Sequence, residues 1–260
     1  MLIHIWPASW SRRARSNATL VAGAFCLVMF LWVLGSALAL LPDPIGDNAQ
    51  QFAEGARTTL WLTLMSGSIG LVLGLVAALA RTSQAKAPRA IASFYIWLIR
   101  GTPLLVQILF VYFALPVLVP GLTLPDFAAA VVALSLNVGA YNAEVIRGAL
   151  LAVPQGQKDA ACALGLKPVQ ALQNVVLPQA LRVALPALAS NVVALLKDSS
   201  LAFAIGVVEL TNVGNRVQAV TFQPVATLAA TACIYLLLTT LLTQFSGALE
   251  HRMDRTTFHR

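Results

Sequence analysis

Apolar residues run through this chain in long blocks rather than at alternate positions or along one helical stripe. Six stretches with few or no charges fall at about 18–41, 59–80, 91–118, 127–146, 183–206 and 225–248. Each is as long as the roughly 20 residues a helix needs to cross a bilayer. Helix is the element they predict, because in lipid every backbone amide and carbonyl must find its partner within the segment. The expected fold class is therefore all-α integral membrane, with six transmembrane helices. The first stretch follows Arg12, Arg13 and Arg15 as a signal peptide would, but its apolar run exceeds the roughly 7–15 residues of such a core, so it reads as a span.

The polar residues between the spans set the direction of crossing. One set of loops and ends holds Arg12, Arg13, Arg15, Arg81, Lys86, Arg89, Arg147, Lys158, Lys167, Arg182, Arg252, Arg255 and Arg260; the other holds only Arg57 and Arg216. Positively charged loops resist translocation, so the first set is expected on the cytoplasmic side, with both termini. The opposite face carries Asp43, Asp47, Glu54, Asp126 and Glu209 in short loops, and 42–58, with Pro42-Asp43-Pro44 and Gly46-Asp47-Asn48, has the turn residues of a loop. Nothing there is long enough to fold as a recognition domain, which implies that any such module is another polypeptide.

Composition narrows the class. The chain is 58% hydrophobic and only 10% charged, with mean hydropathy +0.79, which excludes a soluble enzyme and a disordered protein. A net charge of +7 does not imply nucleic acid, because the basic residues are spread thinly and never interleave with aromatics. Cys26, Cys162 and Cys233 lack metal-site spacing and are expected to be buried small hydrophobes. No G-x4-G-K-[ST] loop occurs, so no ATP site, catalytic residue or metal site is expected on this chain.

An ionisable residue inside a span costs about 2.5–3.5 kcal/mol or more unless paired or wetted, which singles out Arg100, Lys197 and Asp198. Arg100 precedes Gly101 and Pro103, which interrupt the helix and free backbone carbonyls. Asp198 is expected to pair with Lys197 or Arg100, or to face a wet cavity. Asn137, Tyr141 and Glu144 recur at i, i+4 and i+7, which places an amide, a phenol and a carboxylate on one helix face. An acid and a cation at mid-membrane can hold the two ends of a zwitterion, although Glu144 can instead pair with Arg147 at i+3. Asn191, seven residues before Asp198, shares its face and either lines the route or bonds a neighbouring helix. Gly70 and Gly74 make a G-x-x-x-G pair suited to close helix packing.

The long cytoplasmic segment 149–180 is too varied for a linker. Pro154 starts a turn, 157–164 are good helix formers, and Gly165 supplies the positive φ that ends a helix. Pro168 suits the first turn of a second helix, expected to break at Pro178. Asp159-Ala160-Ala161, Gly165, Val175 and Leu177-Pro178 fit the spacing of the pattern E-A-A-x3-G-x9-I-x-L-P, with Asp for Glu and Val for Ile. The segment thus resembles the EAA loop of ATP-binding cassette importer permeases. Thr58 to Thr63, Ile99 to Leu104, Gly139 to Glu144 and Lys197 to Leu201 resemble the polar amino-acid uptake branch of that family.

The resemblance implies a five-helix type I importer permease core over 51–250, preceded by an extra N-terminal helix within 1–50 and followed by a cytoplasmic tail, 251–260. It implies that Asp159, Ala160, Ala161, Gly165, Leu177 and Pro178 form the coupling element. It also implies two ATPase subunits carrying ATP and Mg, a second permease chain, identical or related, and a periplasmic or lipid-anchored solute-binding protein. The setting implied is the bacterial inner membrane, and the cargo an amino acid or similar small polar solute moved by alternating access. The rival from the residues alone is an ion-coupled secondary transporter, for which no internal repeat speaks.

Overall fold

The computed structural model describes residues 12–254; the ends, with Arg255 and Arg260, and the side chains of Arg12, Arg13, Arg15 and Arg252 lie outside that description. Its elements are α1 (Arg12–Leu38), α2 (Ala49–Thr82), α3 (Lys86–Arg100), α4 (Leu104–Leu118), α5 (Asp126–Ala152), α6 (Gln155–Ala163), α7 (Pro168–Ile205), α8 (Leu210–Thr221) and α9 (Pro224–Asp254). Among the described residues, five helices are long and apolar enough to cross a membrane. A sixth crossing is made if α3 and α4, bent by 110° at 101–103, are one span.

The centre of the bundle is the α2–α5 pair, and small residues explain its closeness. A Cβ on Gly74 would lie 2.6 Å from the Asn142 Cβ and 3.0 Å from the Gly139 carbonyl; one on Gly70 would lie 3.1 Å from the Ser135 carbonyl. With no side chains at these points the backbones meet directly, and dispersion replaces the hydrophobic effect that lipid cannot supply. Gly74→Val is expected to force the helices apart and cost about 1–3 kcal/mol, read as a lower melting temperature of the purified protein in detergent.

The extra helix α1 is part of this bundle and packs against α2 and α9, with Leu34 and Leu38 in one core with Phe52, Leu196, Leu210 and Leu238. A second core gathers Leu62, Ile108, Leu134, Leu195 and Ile205 around the far limb of the bent span.

Proline falls inside helices without ending them. One-turn π segments at Phe110–Ala114 and Leu172–Val176 each stand two residues before a proline, Pro116 and Pro178. The Leu115 and Leu177 amides reach back five residues to Phe110 and Leu172, a widening that absorbs the missing proline donor. Pro178 therefore does not break the helix, contrary to expectation, and the helix that starts at Pro168 continues as the span α7.

Three other expectations are corrected. The loop 42–58 is shorter, since α2 begins at Ala49; Gln50 hydrogen-bonds Glu54 one turn on, and Arg57 reaches the Leu31 carbonyl of α1 at 3.3 Å. Glu209 is fully buried rather than displayed on an outer loop. Cys26, Cys162 and Cys233 are all free and exposed on the single chain. Two lie on spans, where lipid offers an apolar thiol the same shelter as a core, and Cys162 lies on the short helix α6 between spans.

Candidate functional site

The break between α3 and α4 opens onto a cavity of about 360 Å³ whose wall includes Thr102, Pro103, Asn137, Tyr141, Asn191 and Asp198. Three helices and the break thus bring together residues far apart in the chain. Arg100 adjoins it, with its guanidinium 5.2 Å from the centre of the Tyr141 ring, a cation–π distance. Asn191 donates to Asn142 at 2.9 Å, which fixes α7 against α5. Of the seven pathway residues read from the sequence, Asn137, Tyr141, Asn191 and Asp198 share this cavity and Arg100 stands beside it.

Glu144 and Lys197 go elsewhere. Glu144 is held by Arg147, one turn on, at 2.9 Å, and by Arg81 from α2, so its carboxylate is spent on ion pairs away from the cavity. Lys197 opens into a separate groove with Ser200, Thr211 and Tyr235. Asp198 pairs with neither Lys197 nor Arg100 within 4 Å among the described residues. Successive helix residues diverge by about 100°, which turns Lys197 away from the face Asp198 occupies. The acid that lines the cavity is therefore Asp198, and the cation beside it is Arg100.

Two polar residues escaped the reading from sequence. Gln107 Nε2 donates to the carbonyls of Ile99 at 2.7 Å and Thr102 at 3.0 Å, and Oε1 accepts from Asn137 Nδ2 at 3.0 Å. The signal available was an amide one turn after a proline in an apolar run. Glu209 caps α8, accepting from the Thr211 and Asn212 amides at 2.8 Å and the Tyr235 hydroxyl at 2.9 Å. Burial pushes its carboxyl above the usual range, and these hydrogen bonds pull the other way. No sequence signal distinguished it from a loop acid.

Between the spans α5 and α7, α6 ends in a Schellman motif: the Gly165 amide donates to the Cys162 carbonyl at 2.9 Å and the Leu166 amide to the Ala161 carbonyl at 3.2 Å. Gly165 has φ +86°, the left-handed conformation glycine adopts without penalty. Asp159 and Ala160 are exposed, while Ala161 is buried, so the two alanines do different things. Leu177 and Pro178 lie on α7, just after its π turn.

The fold is thus a multi-span helical bundle with a polar cavity within and a short helix beneath, the build of a solute permease. Residues 70–255 match the family described as binding-protein-dependent transport system inner membrane component. The chain is 42% identical over 200 residues to the glutamine transport system permease protein GlnP of Escherichia coli (strain K12), covering 77% of this chain and 91% of that one. It is 39% identical over 202 residues to the L-cystine transport system permease protein TcyB of Bacillus subtilis (strain 168), covering 77% and 86%. A crystal structure of an amino acid ABC transporter with histidines superposes with TM-score 0.73 at 37% identity, over 79% of this chain and 95% of that one. The MetNI methionine ABC transporter in an inward facing form shares the fold, with TM-score 0.70 at 22% identity over 83% and 100%.

The chain belongs to the family of binding-protein-dependent transport inner membrane components. It is a multi-pass inner membrane protein and a permease subunit of an ABC importer, whose ATPase activity is on a separate subunit. Such a permease works with ATPase and solute-binding partners, and membership goes against the ion-coupled reading.

Proposed function

We propose that this permease moves a polar amino acid inward through the cavity at the helix break. The observation that carries the reading is the cavity itself, about 360 Å³, within the range of small-molecule sites. It places a carboxylate, Asp198, and two amides, Asn137 and Asn191, on a wall beside the Arg100 guanidinium. Asp198 suits a solute ammonium, Arg100 a solute carboxylate, and the amides a polar side chain. The glutamine, cystine and arginine permeases among its relatives support an amino acid as cargo.

The remaining parts follow from the same reading. Both termini face the cytoplasm, as the basic loops favour. Two copies of an ATPase bind ATP and Mg, a second permease chain completes the pathway, and a periplasmic or lipid-anchored binding protein delivers solute. The element formed by Asp159, Ala160, Ala161, Gly165, Leu177 and Pro178 meets the ATPase and turns its closure into motion of α7. That contact must differ between the two states, because an equal contact shifts no equilibrium.

The test is purification from membranes in mild detergent, mass spectrometry of what accompanies the chain, and uptake in proteoliposomes. A stoichiometric ATP-binding subunit and amino-acid uptake that stops without ATP are expected. Uptake that ignores ATP and follows an ion gradient would overturn the proposal.

A further inference from the structure

We infer that Gln107 is a positioning residue: its side-chain amide stands in for the backbone N–H that Pro103 lacks, holds the bend between α3 and α4, and ties that bend to the cavity through Asn137. In a continuous helix the residue four after Ile99 donates to the Ile99 carbonyl, and that residue is Pro103, which has no N–H. Gln107 Nε2 occupies the missing donor's place at 2.7 Å and also serves the Thr102 carbonyl at 3.0 Å and the Thr102 hydroxyl at 2.9 Å. Carbonyl oxygens only accept, so the NH₂ end of the amide must face them. This leaves Oε1 for Asn137 Nδ2, and the orientation of the amide is settled by its partners.

The break takes from the Ile99 carbonyl the backbone donor that a continuous helix would give it, and a protein donor in that place holds the bend in one shape, as exchanging water from the cavity would not. Glycine and proline permit the break; the glutamine makes it tolerable in this one shape. Asn137 adds the second half of the inference, which rests on the cavity being the solute site. A solute that engages the Asn137 amide competes with Gln107 for it, so occupancy and bend are energetically linked in both directions.

The test uses the full transporter with its ATPase in lipid nanodiscs, with Cys26, Cys162 and Cys233 changed to Ser and spin labels at Phe94 and Val117, exposed positions on the two limbs. Gln107→Met, of similar length with no donor, and Gln107→Glu, which keeps only acceptors, are both expected to shift the inter-label distance from the wild-type distribution. Asn137→Ala is expected to add no further shift to Gln107→Met, as for two groups in one hydrogen bond. Pro103→Ala in the Gln107→Met background returns a backbone donor and is expected to restore the amount of inserted, monodisperse protein that Gln107→Met loses. A wild-type distribution in either Gln107 variant, or no recovery with Pro103→Ala, overturns the positioning role; an additive Asn137→Ala overturns the link to the cavity. The distances are read without solute, so they stand whatever the cavity carries, whereas an unaltered KM in Asn137→Ala would count against the cavity reading alone.

Discussion

Gly165→Val is expected to cut ATP-driven uptake by more than about tenfold while ATP hydrolysis by the partner subunit continues. The reason is conformational rather than steric. A Cβ at this position meets nothing within 4 Å, so the variant creates no clash, but φ is +86° and a β-branched residue pays heavily for that conformation. A strained residue of this kind costs about 1–3 kcal/mol, the scale of a single Schellman turn, so the valine variant relieves itself by opening the turn. Opening it removes the fixed angle between α6 and α7 on which the proposed coupling to the ATPase depends.

Gly165→Asn supplies the contrast, since asparagine tolerates the left-handed region better than other residues with a Cβ, and it is expected to retain most uptake. The measurement is the ratio of solute transported to ATP hydrolysed in proteoliposomes, for both variants at equal incorporation. A valine variant with the wild-type ratio would remove segment 149–180 from the coupling mechanism.

Much of this architecture was legible because a bilayer allows few solutions. A block of about 20 apolar residues has to be a helix, and the basic loops bias its direction, so the spans follow from the sequence. Gly165 was legible for a similar reason: a glycine between good helix formers and Pro168 marks an αL stop. What escaped was set by partners from other spans. Glu144 could be paired with Arg147 from spacing, but Arg81 comes from α2. Asp198 and Lys197 are chain neighbours that helix geometry turns apart, but which groove each one faces is decided by the packing of α7 against α5 and α9. Pro178 read as a stop because a proline interrupts an ideal ladder; a π turn preceding it lets the ladder continue, and apolar spacing does not announce one. Glu209 read as a loop acid because its partners, two following amides and Tyr235 from α9, are invisible until α8 is seated.

Asp198→Asn is the second large effect expected, and its form separates a solute contact from a packing role. The substitution keeps the shape of the side chain and removes the charge, and Asp198 forms no ion pair among the described residues that would be orphaned by it. If its carboxylate receives the solute ammonium, the loss is one charge-assisted hydrogen bond, about 1.5–3 kcal/mol, or about tenfold to a hundredfold in apparent affinity. The KM for uptake is expected to rise by that factor, with folding and basal ATPase activity close to wild type. Lys197→Gln is the matched control, a neighbouring residue whose side chain lines another groove, and its KM is expected to stay within about twofold of wild type. Equal effects from the two would mean that the charges act on the fold of α7 rather than on cargo. A KM unchanged in Asp198→Asn would move the solute contact out of this cavity on this chain and onto the second permease, where the same geometry would have to be sought.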